Sequence, residues 1–265
     1  VLGVVAYAGS FADGVHTSIP APGIGALGAG RGGADSQLAR SLAQLGVGAD
    51  DISVISKHDT STAANDPNEA ELHERLAGAL GRSEGAPLFV VSQKSLTGHA
   101  KGGAAAFQLN GLCQVLGQGV VPPNRSLDCV DEQMSEHEHL VWVREALRFG
   151  EQFPLKAGLL TSLGFGHVSG LIAVVHPQAF VESLPVEKRA AYVARAQERT
   201  VAGARRLVEA MVGGAELYER PANRRFGGDK APAAVARQLE ADVLVSGEAR
   251  LGADGVYSSG LPGCK

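Results

Sequence analysis

Five short apolar runs separated by helical stretches do most to constrain how this chain folds. They cover residues 1–8, 50–56, 88–92, 159–163 and 171–175. Each is strand-length and rich in Val, Ile or Leu, so each reads as a buried strand. Between them lie amphipathic stretches. A helix over 35–45 is stopped by Gly46, and Pro67 starts another that ends near Gly81. A third covers 102–116, with Ala106, Leu109, Leu112, Cys113 and Leu116 expected on its buried face. Strands alternating with helices predict an α/β fold with a mixed, covered sheet. Residues 11–33 and 122–138 read as loop. The chain opens directly on a strand, without an initiating Met, and is expected to be a piece of something longer.

Composition narrows the function classes. The 265 residues carry a net charge of −4, with 45% apolar and 20% charged residues, which excludes general disorder. No basic field invites nucleic acid. The longest apolar stretch, residues 1–9, is far below the about 20 residues of a spanning helix, so no membrane partner is expected. No secretory signal is visible, and three cysteines make no disulfide framework, so a cytoplasmic setting is expected. From Pro185 the character changes. A long helix runs to about 212, with Val193, Ala196, Thr200, Ala204, Leu207 and Met211 on one stripe. The remainder, 215–265, is polar and Gly-rich. That segment reads as an appendage or assembly segment.

Two motifs fail on context. Gly23-Ile24-Gly25-Ala26-Leu27-Gly28 has the dinucleotide spacing but follows Ser18-Ile19-Pro20-Ala21-Pro22, which cannot be a central strand. Gly81-Arg82-Ser83-Glu84-Gly85 has the hydrolase-elbow spacing but the order helix, Ser, strand instead of strand, Ser, helix. What survives is a pair of histidines just after strands. His58 stands in His58-Asp59-Thr60-Ser61-Thr62, and His99 in Lys94-Ser95-Leu96-Thr97-Gly98-His99. A third turn is Gly164-Phe165-Gly166-His167. Imidazole N–H groups and glycine-freed amides aimed at one point can stabilise a developing enolate. Paired His can also hold a metal, but no further ligand stands at metal spacing, so no metal is expected.

These residues resemble the C-terminal half of a β-ketoacyl-ACP synthase, a condensing enzyme of the thiolase-like fold. The matching words are His58-x-Thr60-x-Thr62, then Asp66-x-x-Glu69, then Lys94-x-x-x-Gly98-His99, then Gly164-Phe165-Gly166. The resemblance runs from about residue 1 to 177. The wording of 17–23 and 93–99 is similar to the multifunctional type I fatty acid synthases of actinobacteria and fungi, and the Ala/Gly/Arg-rich usage is closest to the mycobacterial type. It implies the layered αβαβα architecture, here mainly its C-terminal half with a helical tail. It implies that His58 and His99 bind a malonyl thioester carbonyl and promote loss of CO2. Lys94 would pair with Glu69 and orient the histidines, with Asp66 in a structural role. Thr60 and Thr62 would hydrogen-bond the phosphopantetheine arm of an acyl carrier protein, with Gly164 and Gly166 on the same substrate side. Phe165 would be the gate, its N–H an oxyanion donor. No resident cofactor is implied. The implied partners are the carrier domain, the upstream half of the synthase and further copies in a hexamer.

Three positions depart from the family pattern: Asp59 stands where Gly is usual, Gln108 where Glu is common, and His167 where Gly is common. The family nucleophile, a Cys at a strand-to-helix elbow, has no counterpart. Cys113 reads as core, Cys129 lies in a loop and Cys264 is next to last. The nucleophile is therefore expected upstream of residue 1, and the isolated chain is expected to be inactive. A thiolase would need a second Cys near the last turn. A polyketide condensing enzyme is harder to exclude, and a non-catalytic assembly or carrier-docking module of the same fold remains the other reading.

Overall fold

The computed structural model describes residues 1–12, 25–150, 154–164, 168–214, 249–251 and 257–259. The elements, in order, are β1 (Val4–Ala12), α1 (Gln37–Ala43), β2 (Ile52–Ser56), α2 (Asp66–Ala79), β3 (Leu88–Val91), α3 (Lys94–Thr97), α4 (Ala104–Gln118), β4 (Val120–Val121), α5 (Glu132–Ser135), β5 (Leu140–Trp142), β6 (Leu147–Arg148), β7 (Ala157–Gly164), β8 (Val168–Val175), α6 (Pro177–Ser183), α7 (Val186–Met211), β9 (Ala249–Leu251) and β10 (Tyr257–Ser259). The chain divides into two compact units, Val1–Gln197 and Glu198–Lys265. In the second, β9 and β10 pair antiparallel.

The first unit is built on a six-stranded sheet of order β1-β8-β7-β2-β3-β5. The pairs β1–β8 and β8–β7 are antiparallel, whereas β7, β2, β3 and β5 run parallel. The sheet is mixed and helix-covered, as expected from the sequence. Strand alternation divides the core in two. Ile55 and Leu159 face the helices α1 and α2, with Leu38, Leu42, Leu72 and Leu76. Their neighbours Val54 and Leu160 face α4, with Leu112, Val115 and Leu116. Close approach of α4 needs Gly158, where an added Cβ would meet Leu112 at 2.6 Å and the Val54 carbonyl at 2.9 Å. The parallel set sends the C-terminal ends of β2, β3 and β7 to one edge, where open α/β sheets place their chemistry.

Local chemistry sets the helix limits. The Ser36 hydroxyl accepts the Ala39 amide at 3.1 Å and caps α1. Asp66 and Glu69 occupy the first turn of α2 with Pro67. Gly119, in the left-handed region at φ 63°, closes α4.

Several expectations are corrected. Among the described residues β1 pairs with β8 alone, at the edge of the sheet, and only its Tyr7 is buried. Ala106 lies on the exposed side of α4; the buried residues are Ala104, Gln108, Leu112, Val115 and Leu116, since Gln108 turns inward to bond backbone. The loop readings missed α5 and a 3-10 segment, Gly25–Gly30, which buries Ala26 and Ala29. The second half of the dinucleotide-like motif therefore forms a packed turn, while residues 18–23 lie outside the described residues. No residue of α7 is buried within this chain, and Val193 is half exposed. Among the described residues no helix is long and apolar enough to cross a membrane.

Candidate functional site

His58 follows β2, and the turn it opens is tied down by α2. Glu69, fully buried, accepts the His58 amide at 2.5 Å and the Asp59 amide at 2.9 Å. Its Oε1 also accepts the Thr161 hydroxyl of β7, which in turn accepts His73 Nε2 at 3.0 Å. Asp66 accepts the Thr60 amide at 3.1 Å, and the Thr60 and Thr62 hydroxyls meet at 3.1 Å. A buried carboxylate bonded by backbone amides fixes a turn more firmly than a neutral acceptor would.

The second turn follows β3 through α3, a helix of one turn the sequence did not announce. It brings the His99 ring to 5.1 Å from the His58 ring, centroid to centroid, at 85°. Each imidazole has its Nδ1 occupied by a donor. The Lys94 Nζ reaches His58 Nδ1 at 3.3 Å, and the Lys101 amide reaches His99 Nδ1 at 3.0 Å. An amide or an ammonium can only donate, so both rings carry their proton on Nε2. Lys101 adopts φ 52° to deliver that amide, and Asp59 and Ser61 are left-handed too. Left-handed non-glycine residues gathered at one site are a mark of function.

Lys94 does not pair with Glu69, as the resemblance implied. Its Nζ lies between His58 Nδ1 and Gln108 Oε1, the latter at 3.2 Å, because Glu69 is spent on the turn amides. Gln108 is buried and donates Nε2 to the carbonyls of Ser56, Lys57 and Thr161 at 2.9–3.0 Å. A glutamate there would face three carbonyl oxygens with no donor. Burial, helped by the Lys94 ammonium beside it, lowers the His58 pKa to about 4, so the ring is neutral at pH 7. Burial also pulls Lys94 below its usual range, against the raising effect of Glu69, Asp59 and Asp66.

A cleft of about 360 Å³ opens here, with Thr60, Ser61, Lys94, Ser95 and His99 among its walls. Gly164 ends β7, which runs parallel to β2, so it lies at the same sheet edge as His58. Phe165, Gly166 and His167 lie outside the described residues. Cys113 is half-buried on α4, and burial raises its thiol pKa, the reverse of an activated nucleophile. Ser83 of the elbow-like motif donates to Asp50 Oδ2 at 2.6 Å in the turn between α2 and β3. Among the described residues one group has metal-ligand grouping, Glu74, Glu138 and His139, and it includes neither His58 nor His99.

The sequence reading passed over Asn124, Lys57 and the Lys101 amide. Asn124 accepts the Ser92 amide at 2.7 Å and donates to the Val90 carbonyl at 2.9 Å, fixing the end of β3. One signal was present for Gln108: a polar residue stands at the i+4 position between Ala104 and Leu112 on the buried face of α4.

Residues 2–128 match the family Beta-ketoacyl synthase, C-terminal domain. The chain is 38% identical over 205 residues to Fatty acid synthase 2 of Mycosarcoma maydis, covering 77% of this chain and 5% of that protein. It is 39% identical over 214 residues to a fatty acid synthase alpha subunit of Emericella nidulans, covering 80% of this chain and 14% of that one. The chain thus spans a small part of the relatives it matches. Among solved structures, the ketosynthase FabY of P. aeruginosa superposes with a TM-score of 0.67 at 25% identity, covering 88% of this chain and 35% of that one. An oxazolomycin ketosynthase domain of Streptomyces albus superposes at 0.55 with 20% identity, over 66% of this chain and 30% of that one, a likeness of fold.

Proposed function

We propose that this chain, whose residues 2–128 carry the C-terminal ketoacyl synthase domain, supplies the thioester-activating half of a decarboxylative Claisen condensation in a type I fatty acid synthase. The observation that carries the reading is the histidine pair: two rings 5.1 Å apart, each with Nδ1 occupied and Nε2–H free to donate. Two Nε2–H donors directed at a malonyl thioester carbonyl stabilise the negative charge that gathers on its oxygen as the carboxylate leaves as CO2. The resulting enolate carbon forms a C–C bond to an acyl-cysteine carbonyl. The tetrahedral intermediate then expels the cysteine thiolate and leaves the β-ketoacyl thioester on the carrier. Lys94 keeps His58 in the Nε2–H tautomer, and Glu69 with Asp66 holds the turn. The Phe165 amide stabilises the oxyanion of the acyl-cysteine step.

The nucleophilic cysteine belongs, in this reading, to a part of the synthase outside this chain, since neither Cys113 nor Cys129 has an activating setting. The substrate arm is phosphopantetheine on an acyl carrier protein, held by Thr60, Thr62, Gly164 and Gly166, with no resident cofactor. The parent synthase is of the actinobacterial, mycobacterial type, cytoplasmic and hexameric, and residues 178–265 serve its assembly. The fatty acid synthase names of the fungal relatives favour a fatty acid synthase over a polyketide synthase. The test separates two half-reactions in the full-length synthase. His58→Ala and His99→Ala should each slow release of CO2 from malonyl carrier by about 10²–10³ while acyl transfer onto cysteine survives. Unchanged CO2 release in both variants would refute the reading.

A further inference from the structure

Lys57 and Asp59 flank His58 in sequence, and both are unusual where they stand. The Lys57 side chain is completely buried, and its Nζ lies 2.7 Å from Asp59 Oδ1. The ammonium also donates to the Asp66 carbonyl at 3.3 Å and sits 6.0 Å from the Trp142 ring centroid. Asp59 has φ 27°, backbone that favours glycine. Three anchors hold it there: its amide on Glu69, one carboxylate oxygen on the Ser92 hydroxyl, the other against Lys57. The side chains of residues 57 and 59 thus meet each other, while the imidazole between them meets Lys94 and His99.

A buried ion pair is rarely the most stable filling for its volume. An apolar residue at 57 with glycine at 59 would remove two desolvated charges and one strained backbone. Retaining the pair is explained if it does something apolar packing does not, namely lock one backbone geometry.

We propose that Lys57 and Asp59 form a buried clamp that positions the His58 imidazole against His99. Both act as positioning residues through the backbone of the residue between them, Lys57 from full burial and Asp59 from the wall of the cleft. The clamp rests on the proposed role of His58 in malonyl decarboxylation.

The experiment measures kcat and KM for malonyl decarboxylation in the full-length synthase, with acyl loading of its cysteine and thermal melting read alongside. His58→Ala is the benchmark; if it leaves decarboxylation intact, the functional reading fails and the clamp is not what failed. With that benchmark inactive, Lys57→Met and Asp59→Asn should each lower kcat by about 10–100-fold, the scale of a misplacement near 1 Å, with KM and acyl loading within about threefold. The double variant Lys57→Met/Asp59→Gly removes both charges and the strain, and should recover kcat to within about tenfold of the parent with melting restored. Single variants within twofold of the parent overturn the clamp. So does a parallel loss of acyl loading, or a double variant no better than the singles.

Discussion

The two histidines offer the same Nε2–H group, yet the protein builds them in opposite ways. His58 is 5% exposed, and its turn is tied to α2, α4 and β7 through Glu69, Lys94, Gln108 and Thr161. His99 is exposed, and its orientation depends on a bond from Lys101, two residues on, with Gly98 left-handed at φ 68° beside it. One donor is fixed by long-range contacts, the other by local backbone. Changes around His58 should therefore reach both rate and stability, whereas changes around His99 should reach rate alone.

The largest expected effect tests whether the two are chemically equivalent. Each His→Ala change should slow malonyl decarboxylation by about 10²–10³, the loss of one preorganised donor. A His99→Ala enzyme within threefold of the parent would break the equivalence. Next, Glu69→Ala orphans two buried amides at about 1–3 kcal/mol each. Hydrogen exchange at the His58 and Asp59 amides should speed by at least about tenfold while the Lys101 amide is unchanged. Equal acceleration at Lys101 would erase the contrast between the turns.

A smaller effect is expected from Gln108→Glu, which replaces one donor to three carbonyls by an acceptor. It should cost about 1–3 kcal/mol despite the nearby Lys94, read as a lowered melting temperature. No loss of stability would mean that the lysine compensates fully. The pH dependence sharpens the comparison further. Burial lowers His58 to about 4 and His73 to about 3, from an unfolded value near 6.5. Between these values the unfolded chain binds more protons, so stability is full above about pH 6.5 and is lost as the pH falls toward 4 and then 3. His73→Gln should shrink that loss, measured by urea midpoints across pH 4–6.5. The smallest effect is expected at the thiols. Cys129→Ala, at an exposed position, should change stability by about 0.5 kcal/mol or less and leave condensation intact. Loss of acyl-enzyme formation in either Cys113→Ala or Cys129→Ala would relocate the nucleophile into this chain.

The sequence by itself determined the alternation of strands and helices, the placement of His58 just after a strand, and the helix-turn-strand setting of Ser83 that rules out a nucleophile elbow. Those follow from apolar periodicity and from Gly and Pro, whose effects act over a few residues. It did not decide who partners whom. Lys94 and Glu69 stand in words that resemble an ion pair, but the tertiary structure gives Glu69 to the His58 and Asp59 amides and leaves Lys94 to Gln108 and the imidazole. Nor did it show that β1 is an edge strand, because pairing order depends on β8 returning beside it from over 150 residues away. An apolar pattern sets which side of an element is buried. Which buried polar group meets which is set by packing between distant segments, where each donor and acceptor removed from water must find a partner.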